Sequence, residues 1–488
     1  MGLLPINGWL RDVVDAMIAT SAESATPEQV RRALTSLMPP LADYWSRPLS
    51  DYAAFTYQTS AFHSPCAARL FAMERLQDVV RHAALRAGCS HEDAEGAACE
   101  LRASPVMQTG PHCLLLFEPD AFYTHLFSLM GLQSHGRNWH LAYAGSTMSF
   151  NEAAKKGPGW LRVGGEILNV FGLSRSRMDG GSICCSSGPF RFALTNAAGK
   201  SAPNAYAARL LAQLPSSTFS TASEAIKTAN ASLWKASFPR AAKLLQLDDF
   251  DVADLIADHL DHSDSLLATA LFRDGDADFL LNAIDGLNAG PWRGWIRRST
   301  DFFWHVGRDR IAPLVLDDGW LRSVSSSHVS LEFKPHVLAQ ALRQHVLLPS
   351  LFMSFLVLSI LSGVRALGGC RQTVYLPLMR HLAAGWVARS GDRNLLVDLR
   401  NDILPSLWGI VFCVEKMPIR TRSLSKCATS TAGCLRMARC HSQMPAGILS
   451  ALPAIPSGHR CHVLCSLVSL GRIVRSGRGP ASGDEFRQ

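Results

Sequence analysis

The stretch Val106 to Leu132, VMQTGPHCLLLFEPDAFYTHLFSLMGL, constrains the fold more than any other part of this chain. It starts with two apolar residues, Val106 and Met107, breaks at Thr109-Gly110-Pro111, and resumes as an apolar segment. Phe122, Leu126, Leu129 and Met130 fall at i, i+4, i+7 and i+8, so a helix there carries one apolar face. Strand, glycine break, then helix is the opening order of a nucleotide-binding α/β unit. Glycine allows the tight turn, and a helix start offers unpaired N–H groups to an anion. An ordinary βα turn inside a core has the same order. His112 is the ionisable residue of the turn and the candidate catalytic group, able to donate to a phosphate or act as acid or base. A loop histidine without chemistry fits the same position.

At 488 residues the chain has length for two or three domains and a large core. Its 48% hydrophobic and 18% charged content is that of a globular protein. The formal charge of +8 would suggest nucleic acid if it were spread over the body. It is not: from Lys416 onward eleven Lys or Arg face only Asp484 and Glu485, so residues 1–415 sum to about −1. Arg293, Arg297 and Arg298, interleaved with Trp292, Trp295 and Trp304, therefore read as packing tryptophans covered by arginine, and no nucleic-acid partner is expected. Thirteen irregularly spaced cysteines in so long a chain do not make a secreted disulfide scaffold. Asp12 and Asp15, following directly on a short apolar start, break a secretory pattern, so a cytoplasmic setting is expected.

Along the chain, residues 8–20 and 26–38 have amphipathic helical spacing, the second with Thr26, Pro27 and Gln29 in capping positions. Residues 66–88 form a clear helix, with Leu70, Leu76, Val79, Val80 and Ala83 or Ala84 inward and Gly88 as C-cap. Trp139 to Tyr143 reads as a second buried strand, ending at Gly145-Ser146-Thr147. Small strands and loops fill 160–195, and Tyr206 to Leu214 suits a helix. From 224 to 290 the pattern is helical. Phe302–Val306 and Ile311–Leu316, with the turn Asp317-Asp318-Gly319, read as a β-meander. Val346 to Val364 is nineteen residues without a charge, long enough to span a bilayer. Pro349 and its serines favour a buried helix of a large domain instead, and no membrane partner is expected. Beyond Met417 the composition changes to arginine, serine, cysteine and proline without periodicity, as in a disordered basic tail or an out-of-frame translation.

Several clusters resemble metal or phosphate sites and are better explained blandly. Asp254, Asp258, Asp261 and His262 lie at helical spacing, which suits a solvated acidic face. Asp274, Asp276, Asp278 and Asp285 echo a calcium loop, but Phe279 stands where the sharp turn needs glycine. Gly199-Lys200-Ser201 lacks the first glycine of a phosphate-binding loop, since Leu194 occupies that place. Cys434, Cys440, His441, His459, Cys461, His462 and Cys465 fit no paired zinc-ligand spacing. No metal site is expected.

Three stretches in chain order resemble the bacillithiol-biosynthesis cysteine-adding enzymes, a Rossmann-like family ending in a coiled-coil domain. The family's Thr-Gly-Gln-Gln turn and Leu-Phe-x-x-Pro continuation correspond to Thr109-Gly110-Pro111-His112 with Leu115, Phe117 and Pro119. Its second strand leads into an acidic Glu-Asp-His-Asp segment; here Leu141 to Ala144 leads into Gly145-Ser146-Thr147-Met148-Ser149-Phe150. Its later Leu-Leu-Pro and Gly-Gly-Pro segments correspond to Leu347-Leu348-Pro349, then Gly368-Gly369-Cys370, Gln372, Tyr375 and Leu378. The matches span roughly residues 105–380. Both glutamines of the turn and the acidic-histidine segment are replaced, so the resemblance bears on fold more than on reaction.

The expected architecture is α/β. It comprises an N-terminal helical region (1–99), a Rossmann-like core (100–325) with a helical insertion at about 224–290, a helical segment (330–412) and the tail (413–488). The resemblance implies a bacterial, ligase-like enzyme acting on an amino acid, with cysteine as the candidate, in low-molecular-weight thiol or related small-molecule biosynthesis. Its cofactor is left open, with a nucleotide as the candidate. His112 would be catalytic. Thr109, Gly110, Ser146, Thr147, Ser149, Gly368, Gly369, Gln372 and Tyr375 would bind the small-molecule substrate or cofactor. The alternative is a non-catalytic interaction protein on the same scaffold.

Overall fold

Val106–Gln108 forms a strand (β1) buried at all three residues, and in the computed structural model it is the middle strand of a five-stranded sheet. The structure describes residues 31–32, 35, 38–58, 66–152, 157–238, 241–324, 329–369, 371–401 and 406–408. The helix expected over 8–20, most of that over 26–38, the zinc-like cluster and the tail from 413 lie outside these residues.

Ahead of β1 lie the helices α1 (Leu49–Tyr57), α2 (Ala67–Arg86) and α3 (His91–Ala103). Helix α2 buries Leu76, Val79, Val80, Ala83 and Ala84, and Gly88 follows it at φ +82°. Leu70, expected inward, is 38% exposed, because the buried stripe at that end passes through Arg69 and Ala72. After β1 come α4 (Pro119–Ser134) and β2 (Trp139–Tyr143), whose five residues are all buried. Gly131 of α4 lets it approach α1 closely: a Cβ there would lie 2.2 Å from the Tyr57 ring and 2.7 Å from the Ala53 carbonyl oxygen.

A small antiparallel hairpin, β3 (Trp160–Val163) and β4 (Glu166–Asn169), precedes α5 (Ala222–Ser237). The segment expected to be helical throughout 224–290 contains a strand, β5 (Lys243–Leu247), before α6 (Asp249–Asp261) and α7 (Asp276–Ala289). β5 pairs in parallel with β2 over its full length, so this segment completes the sheet instead of interrupting it. Its five residues are bounded by capped helices, which hid it within a longer helical pattern.

The expected meander is present as β6 (Phe303–Val306), β7 (Ile311–Asp317), β8 (Trp320–Ser323) and β9 (Ser330–Glu332). After α8 (Pro335–Arg343), β10 (Leu347–Pro349) joins its edge beside β6. The apolar run from 346 to 364 is thus no single helix. It comprises β10, a short helix (Leu351–Phe355) and one π-helical turn (Leu356–Leu361), all buried except Ser350 and Leu351 among residues 347–361. Among the described residues no helix is long and apolar enough to cross a membrane. The remainder, expected to be helical, contributes two more parallel strands. These are β11 (Arg365–Gly368) and β12 (Ser406–Trp408), separated by α9 (Gln372–Ser390) and α10 (Arg393–Asn401).

The parallel sheet has the order β12-β11-β1-β2-β5. Side chains alternate across it. Trp139, Leu141, Tyr143, Leu245 and Leu247 enter one core with α2, α3 and α6. His140, from the opposite face, meets His125 of α4 and Trp234 of α5. Both faces are covered, as a parallel sheet requires, and the fold class is α/β.

His125 and His140 are fully buried, with His125 Nδ1 2.9 Å from His140 Nε2. Burial lowers the pKa of His125 to about 4 and, with His125 beside it, lowers that of His140 as well. Burial likewise takes His259 to about 3. The unfolded chain, with ordinary histidines near ~6.5, therefore binds protons first, and stability present above that value is lost as pH falls toward 4. Urea unfolding is expected to show a loss of roughly 2 kcal/mol or more between pH 7 and pH 5. A flat profile across that window contradicts the buried neutral histidines.

Candidate functional site at the carboxyl edge of the parallel sheet

The chain lays down β1, β2 and β5 toward one side and then adds β11 and β12 on the other, so strand order reverses between β1 and β11. In open α/β sheets the crevice beyond the carboxyl ends at such a reversal is where ligands bind. Thr109 stands there, immediately after β1. Its N–H donates to the Leu367 carbonyl at 2.7 Å. Its hydroxyl lies 2.8 Å from the same carbonyl and 2.7 Å from the Gln372 side-chain amide. One hydroxyl proton cannot serve two acceptors. Turning the Gln372 amide so that its nitrogen donates to Thr109 Oγ1 frees the proton for Leu367. It also gives a partner to an amide nitrogen otherwise buried without one. The Tyr375 hydroxyl lies 3.3 Å from the same amide. Gly368 makes room for this: a Cβ there would sit 2.0 Å from one amide atom of Gln372 and 2.4 Å from its Cδ. Gly369 accepts the Gln372 N–H at 2.9 Å, which starts α9.

The turn after β1 is pinned from inside. Gly110 N–H donates to Gln108 Oε1 at 3.0 Å, while Gln108 Nε2 donates to Ser128 of α4. Asn230 of α5 accepts from Leu116 N–H and donates to the Leu114 carbonyl, both at 2.8 Å. Two sequence expectations change here. Helix α4 starts only at Pro119, so the glycine break does not open it directly, and the Gly110 amide is already spent on Gln108. His112 keeps its freedom. It is exposed, adopts φ +47°, and makes no hydrogen bond with the described residues. Cys113 beneath it is buried, and burial raises its thiol pKa out of the reactive range.

Ser146 and Thr147 follow β2, and both their amides and the Ser146 hydroxyl turn to Asp249 at the start of α6. Asp249 Oδ2 accepts from Ser146 N–H (2.6 Å), Ser146 Oγ (3.1 Å) and Thr147 N–H (2.7 Å), while Oδ1 accepts from Tyr143 Oη at 2.5 Å. The carboxylate is 1% exposed. Burial, reinforced by this carboxylate, holds the Tyr143 phenol well above its usual pKa. The Ser146 hydroxyl and both backbone amides are therefore structural ties, not free substrate ligands. Ser149 is exposed, and its backbone forms an isolated bridge to Ser182.

Sequence reasoning missed the acidic pair that ends β5. Asp248 caps α6, accepting from Phe250 and Asp251 N–H, and Asp251 returns a bond from Asp248 N–H. Lys227 of α5 lies 2.8 Å from Asp248 and 3.2 Å from Asp251, and Arg86 also pairs with Asp251. Burial opposes the Lys227 charge, but the two carboxylates outweigh it and raise its pKa. Burial is also the main cause that raises Asp251, with Asp248 adding to it. The signal was present as an apolar run followed at once by Asp-Asp, a strand meeting an N-cap.

The predicted residues thus form two polar groups at the carboxyl ends of parallel strands: Thr109 with Gly368, Gly369, Gln372 and Tyr375, and Ser146 with Thr147. Elsewhere, Asp258 and Asp261 bind Arg343, and Asp254 lies 3.3 Å from His345, so the expected solvated face fastens α6 to α8. Among the described residues no group of three or more His, Cys, Asp or Glu is placed to hold a metal ion. Comparison with protein-family models and with curated proteins returned no match to this sequence.

Gly368→Ala should destabilise the protein by about 2 kcal/mol or more, since Gln372 must leave its buried place. Thermal or urea unfolding checks this. A stability equal to the parent's contradicts the packed Thr109–Gln372 junction.

Proposed function

We propose that the parallel sheet is a Rossmann-like core whose crevice beyond β1 and β11 binds a nucleotide. That nucleotide serves as cosubstrate of a ligase-like reaction on an amino acid, with cysteine as the candidate. The observation that carries this reading is the Thr109–Gln372 contact, made across 263 positions of sequence at the point where strand order reverses. Ligands of open α/β sheets lie there. His112, exposed in the adjoining turn, is the group available to donate to a phosphate or exchange a proton. The Gln372 amide and the Tyr375 hydroxyl supply positioning. The amino-acid substrate rests on the resemblance of the three sequence stretches, of which the 109–112, 145–149 and 368–375 parts lie at the carboxyl ends of the parallel strands and Leu347–Pro349 lies in the antiparallel sheet. The protein acts in the cytoplasm on this reading, with neither nucleic acid nor membrane as partner.

A second reading is favoured by Asp249. Its bonds take up the Ser146 hydroxyl and the Ser146 and Thr147 amides, and hydroxyls do not replace a carboxylate as general base near neutral pH. The scaffold would then serve a non-catalytic interaction.

Thermal unfolding of the full chain with ATP or ADP, with and without cysteine, separates the two. The enzyme reading expects a rise of about 2 °C or more with nucleotide. That rise should vanish in Gly110→Trp, and phosphate or pyrophosphate should be released when cysteine is added. Nucleotide binding without turnover favours the second reading, and no shift with either nucleotide rejects the first.

A further inference from the structure

A small cavity lies at the amino end of the parallel sheet, where α3 gives way to β1 and α4 to β2. It encloses about 10 Å³ and is walled in part by Tyr57, Leu132 and Trp139. A single water needs roughly 10–15 Å³, so the space matches one such molecule and excludes an organic ligand.

The polar side chains of the lining are Glu100, Ser104 and Arg137. Ser104 is 7% exposed, and its hydroxyl is buried with no hydrogen-bond partner among the described residues. The Nε of Arg137 is buried in the same condition. Glu100 Oε1 accepts Asn138 N–H at 2.9 Å and Trp139 N–H at 3.0 Å, and Oε2 accepts Asn138 N–H at 3.1 Å. Oε2 keeps capacity for a further donor, since a carboxylate offers about four acceptor positions. No ion pair joins Glu100 to Arg137 among the described residues, although both border one water-sized space. The backbone holds the two unpaired groups in place. Ser104 N–H donates to the Glu100 carbonyl at 2.8 Å, Val106 N–H to the Ser104 carbonyl at 2.7 Å, and Arg137 N–H to the Leu132 carbonyl at 3.0 Å. Buried polar groups in native proteins are nearly always paired, with protein or with ordered water. A polar gap wider than a hydrogen bond between fixed groups is where a water bridges.

We propose that this cavity binds one structural water, which fastens the end of α3 to the entries of β1 and β2. The water accepts from Arg137 Nε–H and from the Ser104 hydroxyl, and donates to Glu100 Oε2. Three bonds are the usual number for a buried water. The site lies at the opposite end of the sheet from the crevice beyond β1 and β11, and it does not depend on the nucleotide reading.

A high-resolution crystal structure of the full chain, with urea unfolding of its variants, tests this. Density for a water within about 3.2 Å of both Ser104 Oγ and Arg137 Nε is expected. Ser104→Ala should raise the unfolded-to-folded ratio about threefold or more, and so should Arg137→Met, each by depriving the water of a partner. Either change alone releases the water, so the double variant should lie within about twofold of the less stable single variant. Absence of that density, or a double variant at the product of the two single effects, overturns the proposal. So does a Ser104→Ala protein as stable as the parent, the result expected of a hydroxyl with no water to lose.

Discussion

The carboxyl edge of the parallel sheet depends on one buried carboxylate. Asp249 takes bonds from Tyr143, Ser146 and Thr147, and so ties the end of β2 to the end of β5 and to the first turn of α6. Burying a carboxylate costs several kcal/mol, which only good geometry offsets. Here four donors and a helix N-terminus provide it. β5 pairs with β2 and with no other strand among the described residues, so Asp249 secures the place where that end of the sheet would open. The neighbouring Lys227–Asp248–Asp251–Arg86 group extends the same solution to α5 and α2, with each buried charge facing an opposite one.

This economy shapes what the edge can do. The Ser146 hydroxyl and the Ser146 and Thr147 amides turn inward to Asp249, and Thr109 and Gln372 satisfy each other. What faces outward near the strand-order reversal is His112, held in a left-handed conformation by a turn pinned through Gln108 and Asn230. Among the described residues His112 is the exposed titratable group of the turn after β1, carried on rigid elements.

Much of this was legible in the sequence, for reasons that vary by element. β1, β2 and the apolar face of α4 follow from local periodicity, because burial on one or two faces writes itself into spacing. The meander and its Asp-Asp-Gly turn were legible through turn chemistry. β5 and β11 were not, since five or fewer residues between strong helices carry no period of their own. The apolar run from 346 to 364 misled for a related reason: burial is complete there, and a strand, a helix and a π-turn look alike when nothing faces water. Among site residues, Thr109, Gln372 and Tyr375 were named from motif resemblance, and the fold brings them together. Asp249 was passed over because its role lies in a contact with Ser146, 103 positions away. No local pattern records such a pairing.

The central claim is that this buried carboxylate, and not the acidic character of α6 in general, holds the edge. Urea unfolding of Asp249→Ala beside Asp254→Ala tests it within one helix. Asp254 is 29% exposed and faces Arg86 and His345 across the surface. Removing Asp249 leaves several buried donors unpaired, so a loss of about 3 kcal/mol or more is expected, against about 1 kcal/mol or less for Asp254. Equal, small losses at the two positions would contradict the account.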